Sequence, residues 1–152
     1  MGIFEEKFIR TKINVSTKTE LLDMMTTELF KEGILKSKDS FLKSINERET
    51  ILPTGIGHGI AIPHSRHHDV NAMKALVYIL SNELDYDAID GSMVRIVIML
   101  AIPPNHNHDY MMVLHSISVA LKEEISRQAI LTCESPAQVL DFFNVLHLEK
   151  TK

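Results

Sequence analysis

Residues 54–68 read TGIGHGIAIPHSRHH and join a glycine-rich loop to a short apolar run. The glycines and Pro53 break regular structure before residue 59, and residues 59–63 are apolar and long enough for a short buried strand. The segment holds four histidines and three glycines, of the chain's 8 His and 6 Gly. The residues alone leave three interpretations open: a metal site, a phosphate-binding loop, or a tight turn that enters the strand.

The pattern on either side of this segment predicts alternating helices and strands. Residues 17–20 (TKTE) form a capping-box sequence, so a helix is expected to begin there and to end near Gly33. Asp90-Gly91 is a turn signal between two apolar runs, ALVYIL and VRIVIMLAI, which read as buried strands. The remaining expectations are strands at 7–15 and 59–63, and helices at 37–49, 110–122, 123–132 and 136–146. The fold class is therefore α/β: a single domain over residues 1–152, with a mixed β-sheet flanked by helices on both faces.

Composition and charge exclude several classes of protein. The formal net charge of -4 over 152 residues disfavours a general nucleic-acid binder. The longest apolar run, residues 96–102, is far shorter than the ~20 residues that span a bilayer. The first ten residues lack the apolar core of a secretion signal, and the single cysteine, Cys133, cannot form an intrachain disulfide. We expect a cytoplasmic protein of the bacterial type.

His64 is the residue of this segment best placed for chemistry. It follows Pro63 at the end of the predicted strand, where the backbone is rigid. Glycines in the preceding loop allow backbone N–H groups to approach an anion closely. A neutral imidazole beside an anion site can attack a phosphoryl group and later release it. A tight turn without a ligand explains the same residues.

A metal site is the rival interpretation. Imidazole and carboxylate ligands suit zinc or nickel. The candidate ligands are His64, His67, His68, His106, His108 and Asp109. Because the chain has neither an H-E-x-x-H motif nor a cysteine pair, we predict no metal, and we interpret His67 and His68 as residues of a polar loop.

A longer motif resembles a known family. Arg48-Glu49 followed by PTGIGHGIAIPH at 53–64 is similar to the active-site motif of enzyme IIA domains of the bacterial phosphoenolpyruvate-dependent sugar phosphotransferase system, fructose/mannitol (type 2) class. The resemblance continues in Asp90-Gly91, in VRIVIMLAIP, and in Glu134-Ser135-Pro136 before the last helix. It covers roughly residues 8–146.

The resemblance implies a phosphotransferase component with a phosphohistidine intermediate. His64 would accept a phosphoryl group from phospho-HPr and pass it to a cysteine of a IIB domain during sugar uptake, with Arg48 beside it. No cofactor is implied, and the chain would be peripheral to a membrane IIC permease at most. An alternative is a regulatory module in which phosphorylation of His64 controls partner binding. The further expected phosphoryl-binding residues are Thr54, Gly55, Gly57 and Gly59.

The chain departs from the family pattern after the strand at 94–102. The family has a second histidine that opens the next helix, and alignment by count puts Tyr110 at that position. His108 lies two residues earlier, which is a rotation of ~200° on a helix. His108 can therefore replace the second histidine only if the chain is still irregular there.

Overall fold

A mixed sheet occupies the centre of the fold in the computed structural model, which describes residues 3–151 except for the side chains of 107, 108 and 145–151. Within that range the sheet has six strands. The strands are β1 Ile9–Ile13, β2 Gly55–Gly57, β3 Ile60–Ala61, β4 His64–Arg66, β5 Lys74–Leu84 and β6 Val94–Ile102. The helices are α1 Lys18–Lys31, α2 Lys38–Ile51, α3 Asn107–Leu121, α4 Glu124–Leu131 and α5 Pro136–Thr151.

The longest strands, β5 and β6, form the antiparallel centre of the sheet. β1 lies parallel to β5 on one side. On the other side β3 and β4 both run parallel to β6, one after the other along its edge, and β2 pairs antiparallel with β3. Parallel and antiparallel pairs thus occur together, and the predicted mixed sheet is confirmed.

Helices cover both faces of the sheet, as predicted. α1 and α2 pack one core against the sheet, with Phe41 fully buried. Side chains of α3, α4 and α5 pack a second core against the opposite face, with Phe143 fully buried. β5 and β6 contribute to both cores, which explains why their sequences are almost continuously apolar instead of alternating.

The predicted starts of α1 and α2 are confirmed by their caps, whereas α3 begins at Asn107 instead of the predicted residue 110. The Thr17 hydroxyl accepts a hydrogen bond from the Glu20 amide at 3.1 Å, and the Glu20 carboxylate accepts one from the Ser16 amide at 2.8 Å. Ser37 caps α2 in the same way. Gly33 follows α1 with φ of 80°, a left-handed conformation that suits glycine at a helix end.

The chain around Pro63 differs from the prediction. Residues 55–57, expected to be irregular, form β2. Of the strand expected at 59–63 only residues 60–61 form a strand, β3, and a further strand, β4, begins at His64 after Ile62 and Pro63. Ile62 donates its amide to the Thr54 carbonyl, and Pro63 has no amide to donate, so the ladder with β6 is interrupted at these two residues, although the Pro63 carbonyl still accepts from the Leu100 amide. His64 therefore begins a strand instead of following one.

Among the described residues, no helix is long and apolar enough to cross a membrane.

Candidate active site around His64

His64 is held by backbone pairing on one edge of β6. It lies opposite Leu100 in a parallel ladder, and the preceding Pro63 carbonyl accepts a hydrogen bond from the Leu100 amide at 2.9 Å. Pro63 and Ser65 are buried, whereas His64 is half-buried. This arrangement fixes the backbone of His64 and leaves part of its ring accessible from outside.

The hydrogen bond of the His64 ring defines which nitrogen is reactive. Nδ1 lies 2.8 Å from the Ile62 carbonyl oxygen. A carbonyl oxygen only accepts, so Nδ1 carries the proton and donates. In the neutral ring Nε2 then keeps its lone pair. Nε2 is therefore the nitrogen that can attack an electrophile.

Burial keeps this ring neutral. It lowers the pKa of His64 below the ordinary value of 6.5, and the positive charge of Arg48 acts in the same direction. The hydrogen bond to Ile62 and the charge of Glu49 oppose this shift but do not reverse it. At neutral pH the ring is thus in the form that a nucleophile needs.

Arg48 lies in the last turn of α2, close enough for its charge to act on His64. Its Nη1 donates to the Leu52 carbonyl at 2.6 Å, which holds the guanidinium at the end of the helix. Within the described residues, this is the hydrogen bond that the Arg48 side chain makes, so Nε and Nη2 keep N–H donors for an anion. The sequence prediction that Arg48 and His64 lie near each other is consistent with this geometry.

Glu49, the residue after Arg48, is the centre of a buried polar network. The Glu49 carboxylate accepts hydrogen bonds from the Thr54 amide at 3.1 Å and from the Thr54 hydroxyl, and it pairs with Lys18 at 2.8 Å. The Tyr86 hydroxyl lies 3.1 Å from the Thr54 hydroxyl, and the Lys18 ammonium lies 4.3 Å from the centre of the Tyr86 ring. Burial raises the pKa of Tyr86, so it remains protonated.

The network joins α1, the end of α2, the start of the β2–β3 hairpin and the segment after β5. Because the Thr54 hydroxyl donates to Glu49, it serves as the acceptor for the Tyr86 hydroxyl. Thr54 is therefore engaged in holding the hairpin to α2. Its expected role in phosphoryl binding stays a prediction.

The hairpin tip is docked on the turn at 88–92. The amide of His58 donates to the Asp90 carboxylate at 3.1 Å, and the amide of Gly59 donates to the Ser92 hydroxyl at 3.2 Å. Hydrogen bonds from Ser92 and from the His58 amide lower the pKa of Asp90 to about 2. The backbone amides of His58 and Gly59, which the sequence suggested as anion-binding groups, thus already donate to acceptors, and one of these acceptors is a carboxylate.

The glycines permit this close approach. A Cβ on Gly55 would lie 2.9 Å from the Ala88 Cα, and one on Gly57 would lie 2.9 Å from the Asp90 carboxylate. Gly57 and Gly59 also have φ of 97° and 80°. These contacts give the glycines a packing role, and phosphoryl binding by Gly55, Gly57 and Gly59 stays a prediction.

Among the described side chains, Tyr110 is an aromatic neighbour of His64. The two ring centres are 6.5 Å apart, and the Arg66 guanidinium lies 6.0 Å from the Tyr110 ring centre. α3 begins at Asn107, so the chain is already helical at residue 108 and the condition for substitution by His108 is not met. The side chain of His108 lies outside the described residues.

Sequence reasoning missed several neighbours of the site. Ser65 hydrogen-bonds through its hydroxyl to Ser44 and so ties β4 to α2. Alternation along a strand indicates that Ser65 and His64 point to opposite faces, but not that Ser44 lies across from Ser65.

Of the residues considered as metal ligands, His67 and His68 lie together, and Asp69, which was not in that set, lies beside them.

Comparison with known proteins identifies the family. Residues 2–145 match the family described as "Phosphoenolpyruvate-dependent sugar phosphotransferase system, EIIA 2", and the chain belongs to this family. The resemblance drawn from the motif at 48–64 is thereby confirmed.

Individual relatives have different roles. The chain is 32% identical over 137 residues to the fructose-specific EIIABC component of the phosphotransferase system of Bacillus subtilis (strain 168), which covers 90% of this chain and 21% of that relative. This chain thus spans about a fifth of that relative's length. The nitrogen regulatory protein IIA-Ntr of Neisseria meningitidis has a similar structure, with a TM-score of 0.87, 25% identity, and coverage of 92% of this chain and 95% of that one.

A third comparison concerns the fold alone. Enzyme IIA mannitol of Escherichia coli, solved in complex with phosphorylated enzyme IIB mannitol, gives a TM-score of 0.80 at 20% identity. The similarity covers 93% of this chain and 96% of that one.

Proposed function

We propose that this chain is a phosphocarrier in which Nε2 of His64 accepts a phosphoryl group from the phosphohistidine of HPr and passes it to a cysteine of a IIB domain during sugar uptake. The observation that carries the proposal is the hydrogen bond from Nδ1 of His64 to the Ile62 carbonyl. This hydrogen bond leaves Nε2 unprotonated. Burial keeps the ring neutral, and the positive charge of Arg48 lies close enough to act on it.

Phosphoryl transfer to and from His64 requires no proton to be moved at this histidine. As Nε2 attacks, the N–P bond of the donor histidine breaks and the new Nε2–P bond forms. The positive charge that develops on the ring is stabilised by the Ile62 carbonyl, because Nδ1 keeps its proton and continues to donate. In the second step the thiolate of the IIB cysteine attacks phosphorus, and the electron pair of the N–P bond returns to Nε2.

Arg48 is the proposed principal ligand of the phosphoryl oxygens. Its planar donors suit phosphate oxygens, and their charge offsets the negative charge carried by the transferring group. The backbone at Gly55, Gly57 and Gly59 and the side chain of Thr54 are proposed as secondary contributors. The Gly59 amide already donates to Ser92 and the Thr54 hydroxyl to Glu49, which favours Arg48 as the larger contributor.

The partners are proposed from the family and from its named members. The fructose-specific relative is named for A, B and C components, and the mannitol IIA protein was solved with a phosphorylated IIB protein. Apolar side chains are exposed on the two segments that carry Arg48 and Tyr110. They are Ile51, Leu52, Met111 and Met112. Exposed apolar side chains on these two segments suit transient association with a protein donor and acceptor.

A regulatory module is the second candidate. Tyr110 stands where a second histidine is expected and, unlike a histidine, it cannot carry a positive charge near neutral pH. The structural similarity to a nitrogen regulatory protein points the same way. In this case phosphorylation of His64 changes which partner is bound.

One labelling experiment distinguishes the candidates. The chain is mixed with radiolabelled phospho-HPr and then with candidate IIB proteins, using His64→Gln as the test variant and His115→Gln, an exposed histidine of α3, as the control. Label that reaches a IIB cysteine through His64 supports the transport role. Label that stops at His64 supports the regulatory role, and equal labelling of the His64→Gln variant refutes both.

A further inference from the structure

Three consecutive residues directly after β4 bring metal-binding atoms together. His67, His68 and Asp69 each offer one ligand atom, and these atoms all lie within 4.8 Å of one another. Nδ1 of His67 lies 3.8 Å from one Asp69 carboxylate oxygen, and Nε2 of His68 lies 3.5 Å from the other. Zinc bonds of ~2.0–2.2 Å at the tetrahedral angle separate ligand atoms by ~3.3–3.6 Å. The two imidazole–carboxylate distances, which run to different oxygens of Asp69, lie in or just above this range, so small side-chain movements bring the three groups around one ion.

We propose that His67, His68 and Asp69 form a binding site for a divalent transition-metal ion of the zinc class, which replaces the prediction of no metal made from the sequence. The site is separate from the phosphoryl acceptor, since His64 is not one of its ligands, and the proposal does not rest on the proposed function.

The backbone of the three residues is held in place. The amide of His67 donates to the Ile102 carbonyl at 2.9 Å, and its carbonyl accepts from the amide of Val70 at 3.1 Å. The Asp69 carbonyl accepts from the amide of Lys36 at 2.9 Å. The turn is therefore tied to β6 and to the loop before α2, so little chain ordering is needed when an ion binds.

The side chains are also restricted before an ion binds. Those of His67 and Asp69 are each only 16% exposed, and the His67 ring meets the buried Phe41 ring edge-on with centres 6.4 Å apart. The His68 ring stacks on the His67 ring with centres 4.3 Å apart, although its side chain is 79% exposed. Two ligands are thus fixed by packing, and the third is free to close the site from the solvent side.

The protonation state of His67 suits a ligand. Its Nδ1 accepts a hydrogen bond from the Asp69 amide at 3.0 Å, so that nitrogen carries a lone pair and no proton. A bound ion takes this lone pair, and the Asp69 amide loses its acceptor. That loss is an expected cost of binding, and the metal–nitrogen and metal–carboxylate bonds must exceed it.

The ligand set selects the type of ion. Two imidazoles and one carboxylate suit zinc, nickel or copper, whereas calcium and magnesium prefer a shell made of oxygen atoms. Three protein ligands leave the fourth tetrahedral position for water or for a ligand from a binding partner. We therefore expect binding of zinc and cobalt but not of magnesium at matched concentration.

The test uses the full chain without a histidine tag. Zinc binding is measured by isothermal titration calorimetry, and cobalt is used as a spectroscopic probe because tetrahedral sites give intense visible bands. The wild-type chain is expected to bind one ion per chain. His68→Gln and Asp69→Asn should each weaken binding by about tenfold or more, with unchanged circular dichroism.

Two controls identify the site. His115→Gln removes an exposed histidine elsewhere and should bind zinc like the wild type, and His106→Gln tests the histidine directly before α3. The proposal is overturned if the wild-type chain binds no stoichiometric zinc. It is also overturned if His68→Gln and Asp69→Asn bind like the wild type, or if His106→Gln alone abolishes binding.

Discussion

Replacing Glu49 with Ala tests the buried network that holds α2 to the glycine hairpin. The Glu49 side chain is 5% exposed and that of its partner Lys18 is 20% exposed. The substitution leaves the Lys18 ammonium and both Thr54 donors without their acceptor. Removing one partner of a buried ion pair costs about 3–5 kcal/mol. Because Lys18 retains some contact with water, we expect the lower end, about 3 kcal/mol.

The assay is urea unfolding followed by circular dichroism, with thermal unfolding as a second measure. At about 2–4 °C per kcal/mol for a domain of this size, the Tm should fall by about 6–12 °C. Glu47→Ala, an exposed acid on the same helix, is the matched control and should change the free energy of unfolding by less than about 0.5 kcal/mol. A loss below about 1 kcal/mol for Glu49→Ala would refute the reasoning.

A double-mutant cycle isolates the ion pair from the other contacts of Glu49. Lys18→Met combined with Glu49→Ala should cost less than the sum of the two single changes, by about 0.5–3 kcal/mol. Strict additivity would mean that the two charges do not stabilise each other in the folded protein.

Four further predictions concern the hairpin, the reactive histidine and Tyr110. Gly55→Ala places a Cβ 2.9 Å from the Ala88 Cα, so the free energy of unfolding measured in urea should fall by about 1–3 kcal/mol. An unchanged free energy of unfolding would contradict the packing role of this glycine. Since burial lowers the pKa of His64 below 6.5, acceptance of label from phospho-HPr should decline only below that pH, and an acid limb with a midpoint above it contradicts the assignment. Because the pKa of His64 is lower in the folded chain, the unfolded chain takes up a proton at this histidine at a higher pH than the folded chain does. The contribution of His64 to the free energy of unfolding is therefore lost as pH falls from 6.5 to the folded-state pKa. Tyr110→His supplies an imidazole that can carry a positive charge near His64. The rate of phosphoryl transfer from phospho-HPr should rise by up to about tenfold, which corresponds to about 1.4 kcal/mol. A variant that transfers more slowly would argue against the proposed role of that position.

The elements that local sequence determines were predicted well. Thr17 and Ser37 cap helices where their patterns indicate, and β5 and β6 are the buried apolar runs. The interruption at Pro63 was not predicted, because residues 59–63 satisfy a strand pattern by hydrophobicity alone. The missing amide of Pro63 is a local signal that this pattern overlooked, whereas the hydrogen bond from the Ile62 amide to the Thr54 carbonyl depends on tertiary contacts.

The candidate site was predicted only in part. His64 and Arg48 belong to one contiguous motif, and Tyr110 was located by its spacing from later landmarks. Lys18 and Tyr86 come from elements far away in sequence, so their contacts with Glu49 and Thr54 had no local signal. The condition set for His108 as a substitute is not met for a local reason, since α3 begins three residues before the predicted start at 110.

The most direct test of the central claim is to determine which nitrogen of which histidine carries the phosphoryl group. The chain is labelled with ¹⁵N, phosphorylated by phospho-HPr, and examined by two-dimensional NMR that correlates the imidazole nitrogens with the ring protons. The Nδ1–Ile62 hydrogen bond predicts a single phosphohistidine at His64, with the phosphoryl group on Nε2 and the proton retained on Nδ1. A phosphoryl group on Nδ1 of His64, or on any other histidine, would contradict the account.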